Sequence, residues 1–339
     1  MPKRGLTLGK FAPLHAGHQW LLHTAACEMD EVLVLIYDCP EVTSIPLPVR
    51  AGWIRQLYPR FEVREVWGGP SEVGDTPRIK RLHEDYILHT LGIRDITHFY
   101  SSEFYGEHMS QALGAVNRVV DAGRHKVPIS GTAIRTHPFA QREFLHPLVY
   151  RDLVSKIVFL GAPSTGKSTL AQRLAQEYQT TWMPEYGREY WETHHVERRL
   201  TSEQLVEIAE EHARREEALI WQADKYLFVD TNPLTTRQFA LDYHGFALPR
   251  LEQMADAAAA RYDLVFLCDI DIPYDDTPCR SGEVKRDEFQ KQIVADLKMR
   301  RIPYLMLRGN LETRVQTVQN VLKRWQPFGN VGELCHIAP

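Results

Sequence analysis

Two short segments carry residues whose types and spacing suit phosphate chemistry. In GKFAPLHAGH, residues 9–18, a glycine, a lysine and two histidines surround a turn that leads into an apolar helical pattern. Gly9 ends an expected strand, Lys10 adds positive charge, and Pro13 and Gly17 shape the turn. His15 and His18 then fall near the start of a helix, where unpaired N–H groups and the helix dipole favour an anion. Imidazoles there can donate hydrogen bonds to phosphates and stabilise charge as it develops. A zinc site is the weaker reading, because two histidines three apart have no third ligand at a useful spacing. A core role for one of the two is a further alternative.

The second segment, GAPSTGKST, places Gly161, Gly166, Lys167 and Ser168 in the spacing G-x-x-x-x-G-K-S between an apolar strand and a helix. That context identifies a phosphate-binding P-loop. Glycines let the backbone wrap phosphate oxygens, successive N–H groups point at the anion, Lys167 reaches the terminal phosphates, and the Ser168 hydroxyl can ligate Mg²⁺. Downstream, YLFVDTNPLTT is an apolar strand ending in Asp230. A carboxylate there can hold Mg²⁺ through water or orient a hydroxyl, and it can equally cap the helix that starts near Pro233. PEYGREYWE offers Glu185, Arg188 and Glu189 beside Tyr186, Tyr190 and Trp191, either a sugar-and-base site or a solvated helix with an aromatic core face. DDTPCRSGEVKRDEF brings Arg280, Lys285 and Arg286 into a polar loop, which suits either a closing lid or plain solvation.

One more segment supports phosphate binding near the first turn. VPISGTAIRTHP contains Ile129, Ser130, Thr132 and Arg135, with Ser130 as the expected N-cap of a short helix. By itself this is an ordinary capping pattern; beside two histidines it describes a second anion-binding helix start.

These elements need a scaffold. Short Val-, Ile- and Leu-rich runs alternate with amphipathic stretches: strands at 5–8, 32–37, 61–67, 97–101 and 117–121, helices at 17–29, 49–58, 77–91 and 105–113. The alternation restarts with strands at 156–160, 226–230, 264–268 and 303–307 and helices at 167–178, 205–221 and 311–325. Strands separated by helices argue for parallel sheets covered on both faces. With 339 residues, two such domains are expected, divided near residues 145–155.

Composition narrows the function classes. A net charge of -4 gives no global electrostatic case for nucleic acid or an anionic membrane. No apolar run is long enough to cross a bilayer, and no signal-peptide core follows Lys3 and Arg4. Five scattered cysteines without a C-x-x-C pair fit a reducing, cytoplasmic compartment.

H-x-G-H followed by I-S-x-T-x-x-R resembles the nucleotidyltransferase superfamily. The variant GKFAPLHAGH, with Lys10 where many members carry threonine, is similar to the adenylyltransferase half of NadR-type bifunctional proteins, and YSSEFYGEHM to that family's substrate segment. The P-loop, EYGRE, VDTNPLTT and DIPYDDTPCRSG resemble its ribosylnicotinamide kinase half. The resemblance implies an α/β chain of two doubly wound parallel-sheet domains, a Rossmann-like nucleotidyltransferase domain at residues 1–148 and a P-loop kinase domain at 155–339. It implies two reactions: phosphorylation of nicotinamide riboside to nicotinamide mononucleotide (NMN), then adenylyl transfer from ATP to NMN, giving NAD and pyrophosphate. By position, His15, His18 and Arg135 bind the first ATP, with Gly9, Lys10, Phe11, Ser130 and Thr132 around it. Gly161, Gly166, Lys167, Ser168 and Thr169 hold the second ATP, Ser168 and Asp230 take Mg²⁺, Asp230 or Glu185 orients the riboside hydroxyl, and Arg280 and Arg286 are lid candidates. Trp53 and Trp191 are candidate stacking partners for a pyridine ring, and each suits a core as well. The expected partners are these small molecules, with no nucleic acid and no membrane insertion, and a homo-oligomer is left open. The first strand begins almost at once, so the helix-turn-helix of some relatives is not expected. Two alternatives remain: another cofactor precursor as substrate, or an ATP- and NAD-sensing regulator with little turnover.

Overall fold

In the computed structural model, residues 2–197, 199–273, 286–329 and 332 are described. The chain divides into two compact units, Met1–Tyr150 and Arg151–Pro339.

The first unit is built on β1 (Arg4–Gly9), β2 (Glu31–Tyr37), β3 (Glu62–Val66), β4 (His98–Ser101) and β5 (Val116–Val119), ordered β3-β2-β1-β4-β5 and parallel throughout. Its helices are α1 (Ala16–Glu28), α2 (Leu47–Leu57), α3 (Pro77–Asp85), α4 (Gly106–Leu113) and α5 (Gly131–Thr136), and α6 (Pro147–Leu153) runs across the division into the second unit. β2 reads as an unbroken apolar run because it is buried on both faces, from Val32 to Tyr37. Side chains from β1, β2 and β4, among them Leu6, Leu35 and Phe99, share a core cluster with Ile87 and Met109. The helix expected at 77–91 ends earlier: α3 passes at Tyr86 into a π-helical turn, Tyr86–Thr90, which seats Ile87 in that core.

The second unit contains β6 (Ser155–Leu160), β7 (Trp182–Met183), β8 (Tyr226–Asp230), β9 (Leu264–Cys268) and β10 (Leu305–Leu307), ordered β10-β9-β6-β8-β7, again parallel. Around it lie α7 (Lys167–Glu177), α8 (Tyr186–His194), α9 (Ser202–Ile220), α10 (Pro233–His244), α11 (Pro249–Ala257), α12 (Arg286–Met299) and α13 (Leu311–Leu322). Phe159 of β6 lies between Phe228 of β8 and Phe266 of β9, with ring centroids 6.2 and 5.8 Å away. Each such aromatic pair contributes on the order of 0.5–1.5 kcal/mol beyond its buried area. α9 begins earlier than its apolar pattern, because Thr201 and Gln204 form a reciprocal capping box at its N-terminus. β7, α11 and α12 lie outside the expected elements. No helix among the described residues is long and apolar enough to cross a membrane.

In both sheets the strand order reverses beside the first strand of the unit. The crevice beyond the carboxyl ends of the strands at such a switch point is where parallel α/β folds bind ligands. β1 delivers GKFAPLHAGH to one crevice, and β6 delivers GAPSTGKST to the other.

Candidate functional site

In the first unit, the chain leaves β1 at Gly9 and turns through Phe11, which has φ 45°, to reach His15, the N-cap of α1. His15 Nδ1 accepts from the Gly17 N–H at 3.1 Å, and His18 Nδ1 accepts from the His15 N–H at 3.4 Å. The two rings stack at 3.7 Å, and Phe11 meets His18 edge-on at 4.9 Å. These bonds assign both neutral rings the tautomer with the proton on Nε2. Burial, with the charges of Arg124 and Arg135, lowers His15 from 6.5 to about 4. Burial, with His15 and Arg135, lowers His18 as well, against the opposing pull of the Pro13 carbonyl. Both are therefore neutral donors at pH 7, and the buried Nε2 of His15 has no partner among the described residues.

α5 meets this start from across the cleft. Ser130 Oγ accepts from the Ala133 N–H at 3.1 Å, the N-cap its sequence predicts. Arg135 donates to the Ala12 carbonyl at 3.3 Å and to Thr132 Oγ1 at 3.1 Å, tying α5 to the turn. A Cβ on Gly131 would stand 3.1 Å from Arg135 Nη1 and 3.7 Å from His15 Nε2, so a side chain here would crowd the space both groups face. The open cleft, of about 800 Å³, is lined by Lys10, Phe11, His15, His18, Ser130, Thr132 and Arg135. Lys10 also pairs with Glu41 at 3.3 Å.

Two features here lie beyond the sequence reading. Arg124 reaches the same cleft, on a loop shaped by Asp121, whose carboxylate accepts from the N–H groups of His125, Lys126 and Val127. Arg50 of α2 is 1% exposed and donates to the carbonyls of Ile45, Tyr37 and Lys10, which fixes the turn after β1 from behind. A glycine–aspartate turn in DAGRHK was a visible signal for the first; nothing local marks the second.

In the second unit, Gly161 leaves β6 at φ +140°, and a Cβ there would lie 2.6 Å from the Cys268 carbonyl oxygen. Glycine is therefore required by both conformation and space. Gly166, at φ +77°, precedes α7. Lys167 Nζ lies over the loop, donating to the Gly161 and Ala162 carbonyls at 2.9 and 3.0 Å. A hollow of about 380 Å³ covers Ser164–Thr169, with Arg188 on its wall. Arg286, expected at a lid, donates to the Ser164 and Ile272 carbonyls at 2.9 and 2.8 Å and so braces the loop backbone. Arg314 supports it too, donating to the Thr165 carbonyl at 2.6 Å. Arg280 lies outside the described residues.

The two acidic candidates separate. Asp230 is fully buried, and among the described residues no donor meets hydrogen-bond geometry with either carboxylate oxygen, although the Ser168 hydroxyl is near enough to stabilise the charge. Burial, then repulsion from Glu185, pushes it up from 3.8 to about 6, against the pull of Lys167, Ser168 and Arg188. An orphaned carboxylate beside the P-loop serine fits Mg²⁺ held through water and phosphate oxygens, which needs few protein ligands. No cluster of three or more His, Cys, Asp or Glu side chains suited to a metal occurs among the described residues. Glu185, by contrast, lines a pocket of about 970 Å³ beside the P-loop, together with Lys167, Arg188, Trp191 and Asn232. Arg188 is 3.4 Å from Glu185 and 3.5 Å from Ser168 Oγ, and it lines both pocket and hollow. Two further groups of PEYGREYWE turn away: Glu189 pairs with Arg215 at 2.8 Å, and Tyr190 donates to Glu207 at 2.5 Å. Trp53 is 1% exposed within the core, whereas Trp191 lines the pocket.

A family model described as an AAA domain matches residues 156–314. The chain is 29% identical over 326 residues to the trifunctional NAD biosynthesis/regulator protein NadR of Escherichia coli (strain K12), covering 89% of this chain and 78% of that protein. It is 28% identical over 321 residues, at the same coverages, to the protein of that name from Salmonella typhimurium (strain LT2). A solved NadR structure in complex with NAD and AMP-PNP matches with a TM-score of 0.56 at 21% identity, covering 94% of this chain and 95% of that one. Another, in complex with NR, matches with a TM-score of 0.54 at 23% identity and covers 94% of each. At these identities the structural likeness shows the fold.

Proposed function

We propose, from the premise that this chain is a homologue of the NadR proteins, that it is a bifunctional transferase of NAD salvage with one active site in each unit. The observation that carries the reading is the pair of phosphate cradles in one chain, each at the switch point of a parallel sheet.

In the first unit, His15, His18 and Arg135 bind and polarise the phosphates of ATP. The phosphate oxygen of NMN attacks the α-phosphorus, the bond to the departing pyrophosphate breaks, and NAD forms. The two Nε2–H donors and the guanidinium meet charge that grows on the departing oxygens, without moving a proton. Gly9, Lys10, Phe11, Ser130 and Thr132 surround the nucleotide, and Arg124 adds a cation that the motifs do not include.

In the second unit, Gly161, Gly166, Lys167, Ser168 and Thr169 hold ATP with its γ-phosphoryl toward the pocket. Ser168 and Asp230 would hold Mg²⁺, which neutralises charge on the phosphates when bound. Glu185 faces the acceptor and orients the 5′-hydroxyl of nicotinamide riboside. Arg188, bridging pocket and hollow, is placed to meet the transferring group, and Trp191 offers a ring face or edge to the pyridine. Both reactions need positioning and charge stabilisation rather than a covalent intermediate.

Product analysis with ATP and Mg²⁺ tests the proposal. NMN and NAD from nicotinamide riboside, and NAD from NMN, are the expected products. NAD from NMN alone would remove the kinase assignment, and NMN alone from the riboside would remove the adenylyltransferase assignment.

A further inference from the structure

The pocket beside the P-loop contains a buried base that nothing described so far uses. His212 sits on the face of α9 that also carries Leu205, Ile208 and Ala209, and all four line the pocket. The ring is only 4% exposed, and its Nε2 has no hydrogen-bond partner among the described residues. The Thr231 carbonyl engages the ring from the end of β8, while burial and the charges of Arg261 and Arg215 lower it from 6.5 to about 4. The ring is therefore neutral. With Nε2 unpartnered, the carbonyl takes the Nδ1–H, and Nε2 is left with a lone pair.

A buried acceptor without a partner costs free energy that the fold does not recover. The same pocket wall also carries Trp191 Nε1, Thr231 Oγ1 and Thr235 Oγ1, buried and without a partner among the described residues, but each of these can donate, whereas a neutral ring with Nδ1 protonated leaves His212 Nε2 only an acceptor. We propose that His212 Nε2 accepts a hydrogen bond from the nucleoside in this pocket, so that His212 is a specificity-determining residue for an acceptor bearing a correctly placed N–H or O–H donor. The inference rests on the kinase reading of the second unit. Two groups of nicotinamide riboside supply that chemistry, the ring carboxamide and a ribose hydroxyl. A ring carboxylate supplies no donor and would set its charge against the lone pair.

The test compares wild type, His212→Phe and His212→Gln with nicotinamide riboside, nicotinic acid riboside and the 2′- and 3′-deoxy forms of nicotinamide riboside. Phe fills the space without an acceptor, and Gln places an amide oxygen near the Nε2 position. His212→Phe should lower kcat/KM for nicotinamide riboside by roughly ten- to a hundredfold, and His212→Gln should restore part of it. If the donor is the carboxamide, the loss disappears with the acid riboside. If it is a hydroxyl, the loss persists there and disappears with the matching deoxy form. Fluorescent ATP-analogue binding at the P-loop reports that each variant is folded. An unchanged kcat/KM, or an equal loss with every riboside, overturns the proposal while the kinase reading stands. Wild-type protein that phosphorylates no riboside overturns both.

Discussion

Replacing Asp230 by Asn should make the protein more stable and the kinase worse. The carboxylate is fully buried, with two oxygens unpartnered among the described residues, and its pKa rises from 3.8 to about 6. A folded-state value above the unfolded one means that folding favours the protonated acid. Below about pH 4 both states are protonated and nothing is lost. As pH climbs from about 4 to 6 the folded protein must carry a disfavoured charge, and the cost reaches about 3 kcal/mol above pH 7 at roughly 1.4 kcal/mol per pH unit. Asn is nearly isosteric and uncharged, so the variant escapes that cost. For a unit of this size the difference corresponds to a melting temperature higher by roughly 6–12 °C at pH 8. By the same linkage the gap shrinks to about 1 kcal/mol at pH 4.5. Thermal melts of both proteins at pH 4.5 and 8 read this directly. Mg²⁺ with ATP should narrow the gap at pH 8, because a bound cation compensates the carboxylate, while riboside phosphorylation by the variant falls roughly a hundredfold. A gap independent of pH, or a variant no more stable than wild type at pH 8, would refute the reasoning.

His18→Ala should reduce adenylyl transfer by roughly a hundred- to a thousandfold and leave riboside phosphorylation intact; equal loss of both in a folded variant counts against separate sites. Because His15 and His18 are held neutral, wild-type adenylyl transfer should show no inflection near pH 6.5 from these groups, and a clear one in the pH–rate profile that ionisation of the substrate phosphates does not explain would contradict their neutrality. Lys167→Ala should do the reverse of His18→Ala, lowering kinase turnover roughly a hundredfold or more, and retained phosphorylation of riboside would sink the P-loop assignment. Arg50→Met strips hydrogen bonds from the Lys10, Tyr37 and Ile45 carbonyls, so urea unfolding should show a loss of about 2–4 kcal/mol; a change under about 0.5 kcal/mol would mean the guanidinium does not hold the turn.

What the sequence by itself determined is what neighbouring residues enforce on one another. Glycines at 161 and 166, followed by Lys167 and Ser168, specify a phosphate loop because backbone conformation and helix start are local matters. Ser130 as a cap for α5 follows in the same way, since it bonds an N–H three residues on. Unbroken apolar runs such as Val32–Tyr37 and Tyr226–Asp230 announced parallel strands buried on both faces. Only the tertiary structure decided what depends on segments distant in the chain. It put Glu185 on the pocket wall and buried Asp230, although the motifs offered Asp230 first and Glu185 second for orienting the hydroxyl. It turned Arg286 onto the loop backbone and brought Arg124 into the first cleft. It left His212 Nε2 buried without a partner on a helix whose sequence reads as an ordinary amphipathic one. Burial and charge at a side chain are set by whatever packs against it from elsewhere, and spacing along the chain carries no record of that.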